Sequence, residues 1–209
     1  MKEIFIIEEN EADCSCNLKE RLLDTGFQPV TIHTRPNAGL SDNLRYANQC
    51  ISQLQTDAPG IIGIGYGGAI AGHLLAESAR FRAAVLIGAL TNPATAYGTG
   101  SGVVSPTVGE DFQMLKYLSL LTDESVVQYC DKIHTPILLL HGLRDKVYGF
   151  EQAEQLFTSI KERQPLSDLR MVVFPEAGHE LPTGRYATQC EDEVIRWFSL
   201  KMEGGIVSA

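Results

Sequence analysis

The stretch that most limits what this chain can fold into is Gly63-Ile64-Gly65-Tyr66-Gly67-Gly68, which follows Ile61-Ile62 and runs into Ala69-Ile70-Ala71-Gly72-His73-Leu74-Leu75. A short apolar run, closely spaced glycines and a small-residue helix spell strand, sharp turn, helix. The spacing is that of the elbow G-x-S-x-G, with Gly65 at its central position. Strand and helix backbones touch at such an elbow, so Gly63 and Gly67 suit its flanks and Gly68 lets the helix pack close to the sheet. The central residue takes strained backbone angles that cost a side-chain-bearing residue roughly 1–3 kcal/mol. Glycine largely escapes that cost, so Gly65 keeps the turn and brings no hydroxyl. Two other readings fit the hexapeptide. One is a glycine-rich turn with no special purpose. The other is a dinucleotide fingerprint, since Gly63, Gly65 and Gly68 match G-x-G-x-x-G literally. That fingerprint belongs to a first strand–helix unit with an acidic residue about 20 positions on. Here two strands precede the turn and Ala83 to Leu90 follow it.

A chain of 209 residues, 44% hydrophobic, suits one domain able to bury roughly 70% of its unfolded surface. Net charge is −9 and no Lys/Arg run appears, which argues against nucleic acid and against an anionic membrane as partners. The opening Met1-Lys2-Glu3-Ile4-Phe5-Ile6-Ile7-Glu8-Glu9 has too short an apolar run for a secretory signal. No segment reaches the length of a membrane span. Five cysteines, an odd number without framework spacing, point to a reducing cytoplasm. Cys14-Ser15-Cys16 lacks a His/Cys pair at ligand spacing, so no metal and no cofactor is expected.

Along the chain, residues 2 to 8 read as a strand. Leu18 and Leu22 sit at helical spacing before Gly26, a helix stop. Residues 27 to 34 form a second strand. A helix starting near Ser41-Asp42 carries Leu44, Ala47, Ile51 and Leu54 on one face before Pro59-Gly60. After the elbow helix, Phe81 to Gly88 is a fourth strand and Pro136 to Gly142 a fully apolar fifth, of buried parallel type. A helix with Ala153, Leu156, Phe157 and Ile160 on its buried face precedes a sixth strand, Asp168 to Phe174. A final helix spans about 185 to 202. Residues 110 to 133 hold two short helical stretches, the second capped by Thr122 or Asp123. Strands alternating with helices predict an α/β fold, a six-stranded, mainly parallel sheet with helices on both faces. The expected organisation is one domain over 1–209, with 91–133 as a lid-like excursion and 203–209 as a flexible tail. Ligands on such sheets bind beyond the carboxyl ends of the strands, so the loops after each strand carry the information.

Two of those loops carry chemistry. His141-Gly142-Leu143-Arg144-Asp145-Lys146-Val147 sets a carboxylate just past strand five, and Phe174-Pro175-Glu176-Ala177-Gly178-His179-Glu180 sets an imidazole just past strand six. Elbow, acid and base in that chain order are the order of α/β-hydrolases. From about Leu18 to Leu200 the chain resembles the catalytic domain of the prolyl oligopeptidase family, especially its acylaminoacyl-peptidase branch, and more distantly the dienelactone hydrolases. The resemblance is carried by Arg80-Phe81-Arg82-Ala83-Ala84-Val85, Thr135-Pro136-Ile137-Leu138-Leu139-Leu140-His141-Gly142, Gln152-Ala153-Glu154-Gln155-Leu156 and Val173-Phe174-Pro175-Glu176-Ala177-Gly178-His179. It implies a minimal α/β-hydrolase fold and a serine peptidase or esterase site. In that site Asp145 is the orienting acid, His179 the general base, Gly65 stands at the nucleophile position and the Tyr66 amide belongs to the oxyanion hole. His33, His73, His134 and His141 are expected to be structural.

Two departures bear on activity. Gly65 cannot attack, and the loop after the first strand, which in the family commonly begins with His-Gly, reads Glu8-Glu9-Asn10-Glu11-Ala12-Asp13. Negative charge beside a developing oxyanion raises its energy. The expectation is a catalytically impaired hydrolase-fold protein that binds a small molecule or peptide in the old pocket, with a protein partner or a homo-oligomer left open. The alternative is an active ester or peptide hydrolase using Asp145 and His179 with water, or with a non-standard nucleophile such as Cys14 or Cys16. Glu8, Glu9, Glu11 and Asp13 are either a solvated loop or a pocket rim that prefers cations.

Overall fold

The computed structural model describes residues 2–9, 16–35, 38–54, 56–93, 95 and 125–202. Its centre is one six-stranded sheet: β1 (Lys2–Glu8), β2 (Phe27–His33), β3 (Gly60–Ile64), β4 (Ala83–Ile87), β5 (Ile137–Gly142) and β6 (Leu169–Phe174). They lie in the order β2-β1-β3-β4-β5-β6, and all five pairings are parallel. The sheet expected as mainly parallel is wholly so. Strands β3, β4 and β5 are buried along their whole length, because helices cover both faces. Their side chains alternate between the two faces.

Phe5, Ile7, Ile61, Leu86 and Leu139 point into a core closed by α2 (Leu40–Gln53), α3 (Gly67–Glu77) and α4 (Glu151–Arg163). Ile4, Ile6, Ile62, Val85 and Leu138 point the other way, against α1 (Cys16–Asp24) and α5 (Ala187–Met202). Each fully buried Ile or Leu of this kind contributes about 1.5–3 kcal/mol. Helix α1 connects β1 to β2 over one face, and α2 connects β2 to β3 over the other. The chain therefore reverses direction between β1 and β3, and the ends of those two strands flank the crevice where ligands of open α/β sheets bind.

Element boundaries fall within about two residues of the sequence expectation. Between 110 and 133 the described part is a 3₁₀-helix over Val126–Lys132, capped by Ser125, whose hydroxyl accepts from the Val127 amide at 3.3 Å. The cap is thus neither Thr122 nor Asp123; those two, most of the 91–133 excursion and the 203–209 tail lie outside the described residues.

Candidate active site

The elbow is built as its glycines require. Gly65 has φ +58°, the left-handed region. Its amide donates to the Ile87 carbonyl at 3.1 Å, and its own carbonyl accepts from Gly68 and Leu90, each at 3.0 Å. At Gly67 an added Cβ would lie 2.1 Å from the Ile7 carbonyl oxygen, so α3 starts in backbone contact with the end of β1. At Gly65 the situation differs. A Cβ there would point into a cleft, 3.7 Å from His179 Nε2, 3.6 Å from the Tyr148 ring and 3.3 Å from Glu9 Oε2. The direction of the missing side chain is therefore toward the imidazole. Tyr66 follows at the N-cap of α3.

The acid and base meet there. Asp145, in the loop after β5, accepts from the amides of Val147 and Tyr148 on Oδ1 at 2.8 and 2.9 Å. Its Oδ2 faces His179 Nδ1 at 2.9 Å. A carboxylate so held fixes the imidazole with Nδ1 protonated and Nε2 turned toward Gly65. The two loops approach closely because Gly142 has no side chain: a Cβ there would sit 2.5 Å from the Ala177 carbonyl oxygen. Gly88, after β4, leaves room on the other side, 3.4 Å from Asp145 Oδ2 and 3.6 Å from His179 Nδ1 at its Cβ position.

The structure brings together Gly65, Asp145 and His179, residues separated by up to 114 positions in the sequence. It adds residues that the sequence reading left out or misjudged. Tyr148 packs edge-on against His179, ring centroids 5.2 Å apart. His141 is structural, as expected, yet close to the chemistry. It is 1% exposed, its Nε2–H donates to the Tyr148 carbonyl at 2.8 Å, and it lies 3.5 Å from Asp145 Oδ2. Burial pushes its pKa below 6.5, against the smaller upward pulls of that hydrogen bond and of Asp145, so it stays neutral at pH 7.

Neither picture of the acidic loop holds for Glu8. Its side chain is fully buried at the end of β1 and paired with Lys19 of α1 at 3.2 Å, so it is neither solvated nor at the rim. Glu9 does reach the cleft. Glu11, Asp13 and Cys14 lie outside the described residues, as does the side chain of Cys16. Burial raises the thiols of Cys130 and Cys190 to about 11 and about 12, which keeps both protonated and inert. The cleft holds about 250 Å³ between Glu9, Ile64, Gly65, His179, Glu180 and Thr183. A wider opening of about 570 Å³ lies at the amino ends of the strands, among Arg82, Pro136 and Asp168, away from the Asp145–His179 pair. No described helix is long and apolar enough to cross a membrane.

Known proteins share this architecture. The chain is 32% identical over 123 residues to an uncharacterized peptidase, YuxL, of Bacillus subtilis, a match covering 58% of this chain and 18% of that protein. It is 27% identical over 171 residues to the human acylamino-acid-releasing enzyme, covering 75% of this chain and 23% of that one. The chain thus spans about a fifth of the length of these curated relatives. Among solved structures, Pyrococcus horikoshii acylaminoacyl peptidase superposes with a TM-score of 0.74 at 17% identity, over 100% of this chain and 38% of its own. An esterase from Exiguobacterium antarcticum gives 0.72 at 18%, over 94% and 91%. These structural likenesses establish the α/β-hydrolase fold. The sequence profile of the prolyl oligopeptidase family matches residues 31–205, from within β2 to beyond the end of α5 and across the elbow, Asp145 and His179; by that match the chain belongs to the prolyl oligopeptidase family.

Proposed function

We propose that this chain is a prolyl oligopeptidase-family domain that keeps the acid and base of a serine hydrolase and has lost acyl transfer, leaving a cleft that binds a small molecule or peptide. The observation that carries this reading is the place of Gly65: a side chain there would start 3.7 Å from His179 Nε2, and no side chain is present. In a working triad the imidazole takes the nucleophile's proton while the aspartate fixes its tautomer. Asp145 and His179 are set for both roles, with Tyr66 contributing its amide to the oxyanion hole. Loss of the nucleophile alone costs on the order of 10⁶ in kcat in a serine hydrolase. The binding function is an inference from the cleft, and its peptide option follows from the relatives.

A second reading is favoured by the intactness of the Asp145–His179 pair: His179 as general base for a water over Gly65. Catalysis of that kind contributes roughly 10²–10⁴, enough only for a reactive ester. Hydrolysis of an activated aryl ester by the unaltered protein and by His179→Ala separates the two. Loss of acyl transfer predicts equal, background rates. A rate at least tenfold above background that vanishes in His179→Ala would overturn the loss of catalysis in favour of His179 acting on water or on another nucleophile.

A further inference from the structure

Gly65 does not account for the whole site. Glu9, the first residue past β1, is an exposed residue, yet its Oε2 lies 3.3 Å from where a side chain on Gly65 would begin, the nearest atom outside residues 64–66 among the described residues. Its placement follows from its neighbours. Glu8 is drawn under the sheet end by Lys19, and its carbonyl accepts from the Thr34 amide at 2.9 Å. The Glu9 carbonyl accepts from the Thr34 hydroxyl at 3.4 Å. Backbone contact between Gly67 and Ile7 keeps the end of β1 against the elbow. The chain leaving β1 is therefore anchored on both sides, and the Glu9 carboxylate comes to lie over the turn.

We propose that Glu9 is a second determinant of the silent site: its carboxylate stands beside the vacated seat at Gly65 and closes the elbow to acyl transfer by charge. The proposal rests on the reading of Gly65 as the nucleophile position. Acyl transfer at residue 65 converts a neutral carbonyl into an oxyanion beside the start of α3, and a fixed anion there raises the energy of that state. Among the described residues, the ionisable side chains near His179 include Asp145 on Nδ1, Tyr148 against the ring, His141 behind Asp145 and Glu9 and Glu180 along the cleft. Of these, Tyr148 and Glu9 border the Gly65 seat, and Glu9 is the one that brings a carboxylate there.

The test compares Gly65→Ser with Gly65→Ser/Glu9→Gln and Gly65→Ser/Glu9→Gly in aryl-ester hydrolysis, each checked for native circular dichroism. Glutamine keeps the bulk and removes the charge. The expected result is kcat/KM at least tenfold higher in Gly65→Ser/Glu9→Gln than in Gly65→Ser. The gain is expected in kcat with KM unchanged, a split that a merely structural residue would not produce. Double variants no faster than Gly65→Ser overturn the proposal, and so does a gain confined to the glycine variant, since bulk would then be the obstacle. A gain confined to KM overturns it too. The Gly65 reading fails on a different result, His179-dependent turnover by the unaltered protein.

Discussion

His141 shows how a buried residue behind the Asp145–His179 pair sets the condition of the site. Its imidazole is held neutral by burial, with its pKa below the ordinary 6.5, and it braces the Tyr148 carbonyl beside Asp145. Below about pH 6.5 the unfolded chain takes up a proton that the native chain refuses. Stability from this group is therefore complete above pH 6.5 and is lost as pH falls toward the lowered native value, with a slope approaching ~1.4 kcal/mol per pH unit. Urea unfolding at pH 7.5, 6.0 and 5.0 should show the native chain losing more stability than His141→Gln over that range, although the variant starts lower. Parallel losses would contradict the burial of a neutral imidazole. Asp145 and His179 were legible in the sequence because each sits a fixed few residues past a strand end inside a local motif. Tyr148 was not, because what matters about it is a contact across loops; Glu9 was read as one of four acids in the oxyanion loop, and its place over Gly65 needed the fold. Glu8 was misjudged for a related reason: a lone acid at a strand end reads as solvated until the partner on another element, Lys19, is in view.

At the scale of elements, the elbow depends on three backbones meeting: β1, β3 and α3. Gly67 is where they touch, and its clash partner would be a strand carbonyl rather than a flexible side chain. Gly67→Ala should therefore destabilise by about 1–3 kcal/mol or more, the range for overpacking a closed interior, read as a lower urea midpoint with unchanged m. A loss below ~0.5 kcal/mol would mean that β1 and α3 are not in the contact described. The strands and helices were predictable because their apolar periods are long and bounded by Gly or Pro. Residues 125–132 were harder. A seven-residue 3₁₀-helix has little periodicity to read, and a hydroxyl next to two acidic residues offers several equally good caps, of which Ser125 is the one used.

At the scale of the whole molecule, function follows from where the chain reverses between β1 and β3. That reversal places the end of one strand, with Glu9, beside the elbow that ends the other, while β5 and β6 deliver Asp145 and His179 from the far side. The parallel sheet was foreseeable from alternation alone. Acidic charge near the oxyanion was foreseeable from the loop after β1; which carboxylate reaches the empty seat was not, because that depends on the strand order. The central claim is that the site lacks a nucleophile and keeps the groups that would activate one. The most direct test is covalent labelling by an alkyl fluorophosphonate, followed by intact-mass and peptide mass spectrometry. The unaltered protein should take up no adduct. Gly65→Ser/Glu9→Gln should take up one, at residue 65, faster than Gly65→Ser does, and lose it when His179→Ala is added. An adduct on the unaltered protein, or none on a natively folded Gly65→Ser/Glu9→Gln, would contradict the account.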